Sequence, residues 1–185
     1  RDAVNGSVSF YKSKKKNSIF RDAENFIVDN GKTDHEGIEL SLNWLISSNN
    51  TVSSNITYGN HRYDFETDTS MREKIRVGNK IDTSPKLMAN LIWDLNLRND
   101  SSISFEIEHM SSYYTDAANL HEYDGHTLYH ARFNKNLSTS LKGFVRVDNV
   151  FDKAYAERAD FNAFGGDRYF PGLPREFYIG LEYTF

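Results

Sequence analysis

An all-β fold, antiparallel and built as the wall of a transmembrane β-barrel, is what this sequence of 185 residues predicts. Three observations predict it. Apolar residues recur at every second position through eight segments, the links between those segments alternate short and long, and the chain closes on the alternating run REFYIGLEYTF, Arg175–Phe185. A period of two is the side-chain repeat of a strand, whereas an amphipathic helix repeats near 3.6. Composition points the same way, because 11 Tyr and 13 Phe against 3 Pro favour strands.

Taken in order, the first segment is Val4–Tyr11, a weaker run with Asn5, Ser7 and Ser9 on its polar side. A long link over 17–34 follows, then GIELSLNWL, in which Ile38, Leu40, Leu42 and Trp44 oppose Glu39, Ser41 and Asn43. Ser47–Asn50 (SSNN) has the Asn and Ser chemistry of a tight hairpin turn. The third segment is Thr51–Tyr63, and a second long link covers 64–83. Leu87, Ala89, Leu91, Trp93 and Leu95 make the fourth, the turn NLRNDS spans Asn96–Ser101, and Ile103, Phe105 and Ile107 oppose Glu106 and Glu108 in the fifth. A third long link, 114–124, leads to His126–Lys135, and the turn NKNLS at Asn134–Ser138 leads to Leu141–Asp148. The fourth long link is 151–173, before the terminal strand with Phe177, Ile179, Leu181, Tyr183 and Phe185 on one side.

A soluble β-sandwich also alternates apolar and polar, so alternation alone does not decide between sandwich and barrel. Segment length decides. Crossing a bilayer at a tilt takes about 9–11 residues, more than the five or six common in soluble sheets, and several segments reach that length. Outer-membrane barrels join strands by short turns on one side and long loops on the other. Counting back from Phe185 puts every long link on the external side, and a final aromatic suits the membrane interface.

Other classes are excluded or weakened. A net charge of −4 argues against a nucleic-acid partner, and the single basic run, Lys12–Lys16, reads as a solvated flank. The absence of cysteine removes disulfides and thiolate metal sites. RDAVNGSVSFYK carries no initiator Met or apolar leader and reads as a processed or excised beginning. No nucleophile and base pair stands out. His121, His126 and His130 form a poor metal cage, because two strand positions four apart are separated by about 13 Å. Glu106 and Glu108 read as an inner wall, and GGDRYFPG, with no helix following, as a loop. No catalytic residue, metal ligand or cofactor is expected.

NVFDKAYAERADFNAFGGDRYFPGLPREFYIGLEYTF, Asn149–Phe185, resembles the C-terminal end of TonB-dependent outer-membrane receptors. NGKTDHEGIELSLNW (Asn30–Trp44), TSPKLMANLIWDL (Thr83–Leu95) and YYTDAANLHEYDGHTLYHARFNKNL (Tyr113–Leu137) resemble the same family in the same order, so the likeness covers nearly the whole chain. The resemblance implies a roughly 22-stranded barrel with an N-terminal plug. Residues 1–185 then stand for about eight C-terminal strands of that larger barrel, with the plug and TonB-engaging segment absent from this chain. A competing expectation is a small closed eight-stranded barrel with a structural or adhesive role.

Also implied by the resemblance is TonB-powered import of a scarce ligand, a ferric siderophore or similar metal complex, across the outer membrane of a Gram-negative bacterium. Such a protein is not an enzyme, and its partners are outer-membrane lipid, TonB and the ligand, with no nucleic acid. Anionic, flat chelates call for cations and aromatic rings where strands meet the outside. Those residues are Arg62, Tyr63, Tyr113, Tyr114, His121, Arg158, Arg168 and Tyr169. The tyrosines also suit an interfacial belt, and Arg158 and Arg168 have Asp152, Glu157, Asp160 and Asp167 as nearby ion-pair partners.

Overall fold

Every one of the eight alternating segments is a strand of one antiparallel sheet in the computed structural model, which describes residues 3–67 and 74–185. Strands in chain order are β1 Val4–Arg21, β2 Ile27–Ser47, β3 Asn50–Tyr63, β4 Leu87–Leu97, β5 Ser101–Met110, β6 Tyr113–Tyr114, β7 Glu122–Tyr123, β8 His126–Asn136, β9 Leu141–Asp148, β10 Ala156–Asn162, β11 Gly166–Pro171 and β12 Glu176–Tyr183. The wall runs β1-β2-β3-β4-β5-β8-β9-β12, while β6–β7 and β10–β11 form two small hairpins beyond its external edge. The sheet is open, with β1 and β12 at opposite ends of the order. That is a portion of a larger barrel, not a closed eight-stranded one. No helix among the described residues is long and apolar enough to cross a membrane.

Register is what turns alternation into a surface. Val8, Leu40 and Ile56 are direct neighbours across β1, β2 and β3, and Ile56 continues to Ala89. On the same face a second row runs Val52, Trp93, Phe105, Ala131, Val147 and Phe177 through to β12. A slip of one residue in any ladder would turn that strand's apolar set to the opposite face. The opposite face is mostly polar, with Ser9, Glu39 and Thr57 in one row and Asn90 and Glu108 in another. Phe10 and Ile179 on the apolar face remain 76% and 82% exposed. An uncovered apolar band of this extent is stable only against lipid, and the polar face then lines the interior. Lys86 sits 4.9 Å over the Tyr58 ring, and Trp93 stacks on Phe105 at 5.7 Å, placing amphipathic rings towards each border of the band.

Three differences from the sequence expectation have physical causes. The link expected over 17–34 is mostly strand, since β1 runs to Arg21 and β2 begins at Ile27. Above the bilayer neither face must be apolar, so the ladder continues while its alternation disappears. Positive φ at Asn17 and Asn30 and register shifts after Lys15 and Ser18 break the period further. The turn expected at Asn134–Ser138 lies at 137–140, where Leu137 N donates to Leu141 O at 2.8 Å. In the terminal strand Phe177, Ile179, Leu181 and Tyr183 share the apolar face, but the strand ends at Tyr183. Phe185 follows, its ring edge-on to Tyr183 at 5.2 Å, while Thr184 N donates to Ser140 O at 3.0 Å. Part of the link expected at 64–83, residues 68–73, lies outside the described residues.

Few wall residues are buried. Val28, Tyr63, Ile75, Tyr113, Ala117, Tyr123, Ala156 and Ala159, all buried, belong to the external ends of strands and the links beyond them. The molecule's packed core is therefore its external layer.

Candidate ligand site in the external layer

Four external links are stitched together by backbone and side-chain hydrogen bonds. Ala163 N donates to Ala23 O at 3.0 Å, Phe161 N to Thr115 O at 3.0 Å and Thr83 N to Tyr114 O at 2.8 Å. Asn119 bridges two links in both directions, accepting from Lys80 N at 2.7 Å through Oδ1 and donating to Lys80 O at 2.8 Å through Nδ2. Local chemistry explains why these links hold their shape. Asp22 Oδ1 accepts from Glu24 N and Phe26 N, and Asp116 Oδ1 accepts from Leu120 N and His121 N. Each aspartate closes its own turn, as short acidic side chains do.

Two tyrosines pin the β10–β11 hairpin to the layer. Tyr113 Oη accepts from Ala159 N at 2.7 Å and lies 3.2 Å from Ala159 O, to which it donates. Tyr123 Oη accepts from Ala156 N at 3.0 Å. Burial raises the Tyr113 hydroxyl above its ordinary pKa, so it remains a donor through the physiological range. A second cluster packs Tyr63 with Ile75 and Ala117, flanked by Phe20, Phe65 and Ile81.

Between these clusters lies a cavity of about 210 Å³ lined from all four links, by Asp22, Asp82, Asp116, Phe161, Arg158 and Arg168 among others. Its charge is divided. Asp160, buried, accepts from Arg158 Nη2 at 2.8 Å on Oδ2 and from Arg168 Nε at 2.6 Å on Oδ1, so two half-exposed cations share one carboxylate. Asp22 Oδ2 and Thr115 Oγ1 are buried with no hydrogen-bond partner. Polar atoms left so are costly unless water or a guest serves them.

Asp82 accepts from Tyr63 Oη at 2.5 Å. Burial pushes its carboxyl above the ordinary range, with Tyr63 opposing and Asp116 adding to the rise. A raised carboxyl favours the folded layer while protonated, so its contribution is present at low pH and lost as pH climbs through the raised pKa. Asp82→Asn should therefore make the layer more resistant to proteolysis at neutral pH and flatten its pH dependence. Equal pH profiles for variant and parent would refute the assignment.

The eight residues expected from sequence fall into three groups. Tyr63 and Tyr113 are buried and hold the layer together. Arg62 lies on the outward face with Tyr58, bonded to Asn60 Oδ1 and Gly78 O. Arg158, Arg168, His121, Tyr114 and Tyr169 gather around the links. His121 stacks on Phe161 at 3.7 Å and approaches Asp167 at 3.4 Å, Lys80 lies 5.3 Å over Tyr114, and Tyr169 stays exposed beside Tyr123. Sequence reasoning passed over Asp22, Asp82 and Asp116. The turn stretches DAEN and DAAN, with Asp three residues ahead of Asn, were the available signal for two of them.

Residues 1–150 match the family profile described as TonB dependent receptor-like, beta-barrel. Comparison with curated protein sequences finds no match. Among solved structures, the siderophore receptor PiuA from Acinetobacter baumannii superposes with a TM-score of 0.79 at 18% identity, over 98% of this chain and 26% of that one. The ferric yersiniabactin uptake receptor FyuA from Yersinia pestis gives 0.81 at 16%, over 100% of this chain and 28% of that one. The copper transporter OprC gives 0.74 at 16%, over 100% and 29%. The chain spans about a quarter of the length of the structures it matches.

Proposed function

Because this chain belongs to the TonB-dependent receptor β-barrel family, we propose that it forms wall and external loops of an outer-membrane importer whose cargo is a ferric siderophore. The observation that carries this reading is the stitched external layer. It presents Arg158 and Arg168 in the lining of a cavity of about 210 Å³, with His121 stacked on Phe161 of that lining and Tyr114 and Tyr169 on the same links. Cations draw an anionic chelate and aromatic rings pack against its flat faces. Capture needs no covalent chemistry, so the site is one of binding and release, with TonB supplying the work through parts of the receptor outside residues 1–185. Tyr63 and Tyr113 contribute by shaping the site.

The cavity alone is too small for a whole siderophore complex, so it serves as a subsite for one chelating arm. The test is growth and ⁵⁵Fe uptake by a strain whose receptor lacks the β10–β11 hairpin, residues 156–171. Loss of uptake of one iron chelate, with receptor still in the outer membrane, is the expected result. Normal iron uptake together with a defect confined to copper limitation would overturn the siderophore assignment in favour of a copper cargo.

A further inference from the structure

The polar face of the wall carries a pair of histidines 26 residues apart in sequence. His35 on β2 and His61 on β3 are direct cross-strand partners, and their Nδ1 atoms lie 3.0 Å apart. Each ring's other nitrogen has a hydroxyl partner, Thr33 Oγ1 at 2.8 Å from His35 Nε2 and Tyr11 Oη at 3.4 Å from His61 Nε2. The rings are tilted by 50° with centroids 5.0 Å apart.

When each Nε2–H donates to its hydroxyl, both Nδ1 atoms are left unprotonated side by side. We propose that a divalent transition-metal ion is held by His35 Nδ1 and His61 Nδ1 on the inner wall. Bonds of about 2.0 Å spanning 3.0 Å subtend about 97°, close to the right angle between neighbouring ligands of a tetragonal site and below the tetrahedral value. Imidazole ligands suit Cu²⁺, Ni²⁺ and Zn²⁺, and of these Cu²⁺ binds such a pair most tightly. Among the described residues no group of three or more His, Asp or Glu side chains converges on a metal. The pair therefore supplies two adjacent ligands and water the others.

The backbone around the pair is cut to fit. Gly37 and Gly59 face each other across β2 and β3. A Cβ on Gly59 would come within 2.5 Å of His61 Nε2 and 3.0 Å of Tyr11 Oη, and one on Gly37 would meet Tyr11 Oη more closely still. Both positions must stay bare for the Tyr11 ring to lie across them and reach His61. Metal-bound imidazoles give their other N–H to an outer oxygen partner, and the hydroxyls of Thr33 and Tyr11 fill that place as positioning residues.

The site stands independently of the siderophore reading, because it is argued for the bare ion. The test uses the receptor carrying this segment, tag-free and purified in detergent, titrated with Cu²⁺ alone. Expected is one tight equivalent with an electron paramagnetic resonance signal split by two nitrogens. His35→Ala and His61→Ala should each remove that splitting, and Thr33→Val should weaken binding by about 10-fold or more while keeping it. Heat-modifiable migration of each variant checks that the barrel is folded. An unchanged copper signal in a folded double variant, or no two-nitrogen signal in the parent, would overturn the proposal.

Discussion

Leu40→Arg will sharply reduce the amount of folded protein in the membrane, and Ser41→Arg, one residue along the same strand, will not. Leu40 sits between Val8 and Ile56 in the middle of the apolar face. A guanidinium there meets hydrocarbon and costs about 2–4 kcal/mol at the bilayer midplane. Ser41 sits between Ser7 and Asn55 on the polar face, where small neighbours leave room for a long cationic side chain. Heat-modifiable migration and denaturant unfolding in lipid vesicles would measure both. Equal losses for the two variants would mean that the faces have been assigned wrongly.

Asp160→Ala will loosen the β10–β11 hairpin without weakening the wall. Among the described residues, the buried carboxylate is the one side chain that binds both Arg158 and Arg168. Charge-assisted hydrogen bonds of this kind contribute about 1.5–3 kcal/mol, and the exposure of both arginines reduces that to about 1–2 kcal/mol. Hydrogen exchange at the Phe161 and Ala163 amides, which bond across to neighbouring links, should accelerate by roughly 5- to 30-fold. Exchange in β4 and β5 should stay as it was. Unaltered exchange at Phe161 would show that the tyrosine bonds alone hold the hairpin.

How much of this was readable in advance depended on what the environment demands of each residue. Wall strands announced themselves because lipid on one side and water on the other force a period of two. Where β1 and β2 rise above the membrane that demand ends, and 17–34 looked like a loop. The histidine pair was illegible for a different reason. With Ser47 opposite Asn50, an unbroken ladder would set His35 against Arg62; a register shift between Leu45 and Ser47 instead sets it against His61. The same shift aligns Trp44 with Val52, so the irregularity next to the turn is what keeps both apolar sets facing lipid. In the external layer, Arg158 and Arg168 were placed with acidic partners nearby, but only folding reveals that both chose Asp160.

Bare backbone on the inner wall also governs clearance. At Gly37 and Gly59 the Tyr11 ring reclines along the sheet, and the Phe144 ring does the same over Gly180 on β12. An aromatic side chain normally stands away from a strand and would project into the space beside it. Laid flat, each ring trades reach for headroom, and the passage alongside this stretch of wall is wider by much of a ring's length. A methyl group at either notch would raise the ring like a turnstile arm, narrowing the bore at a fixed height without altering one charge on its surface.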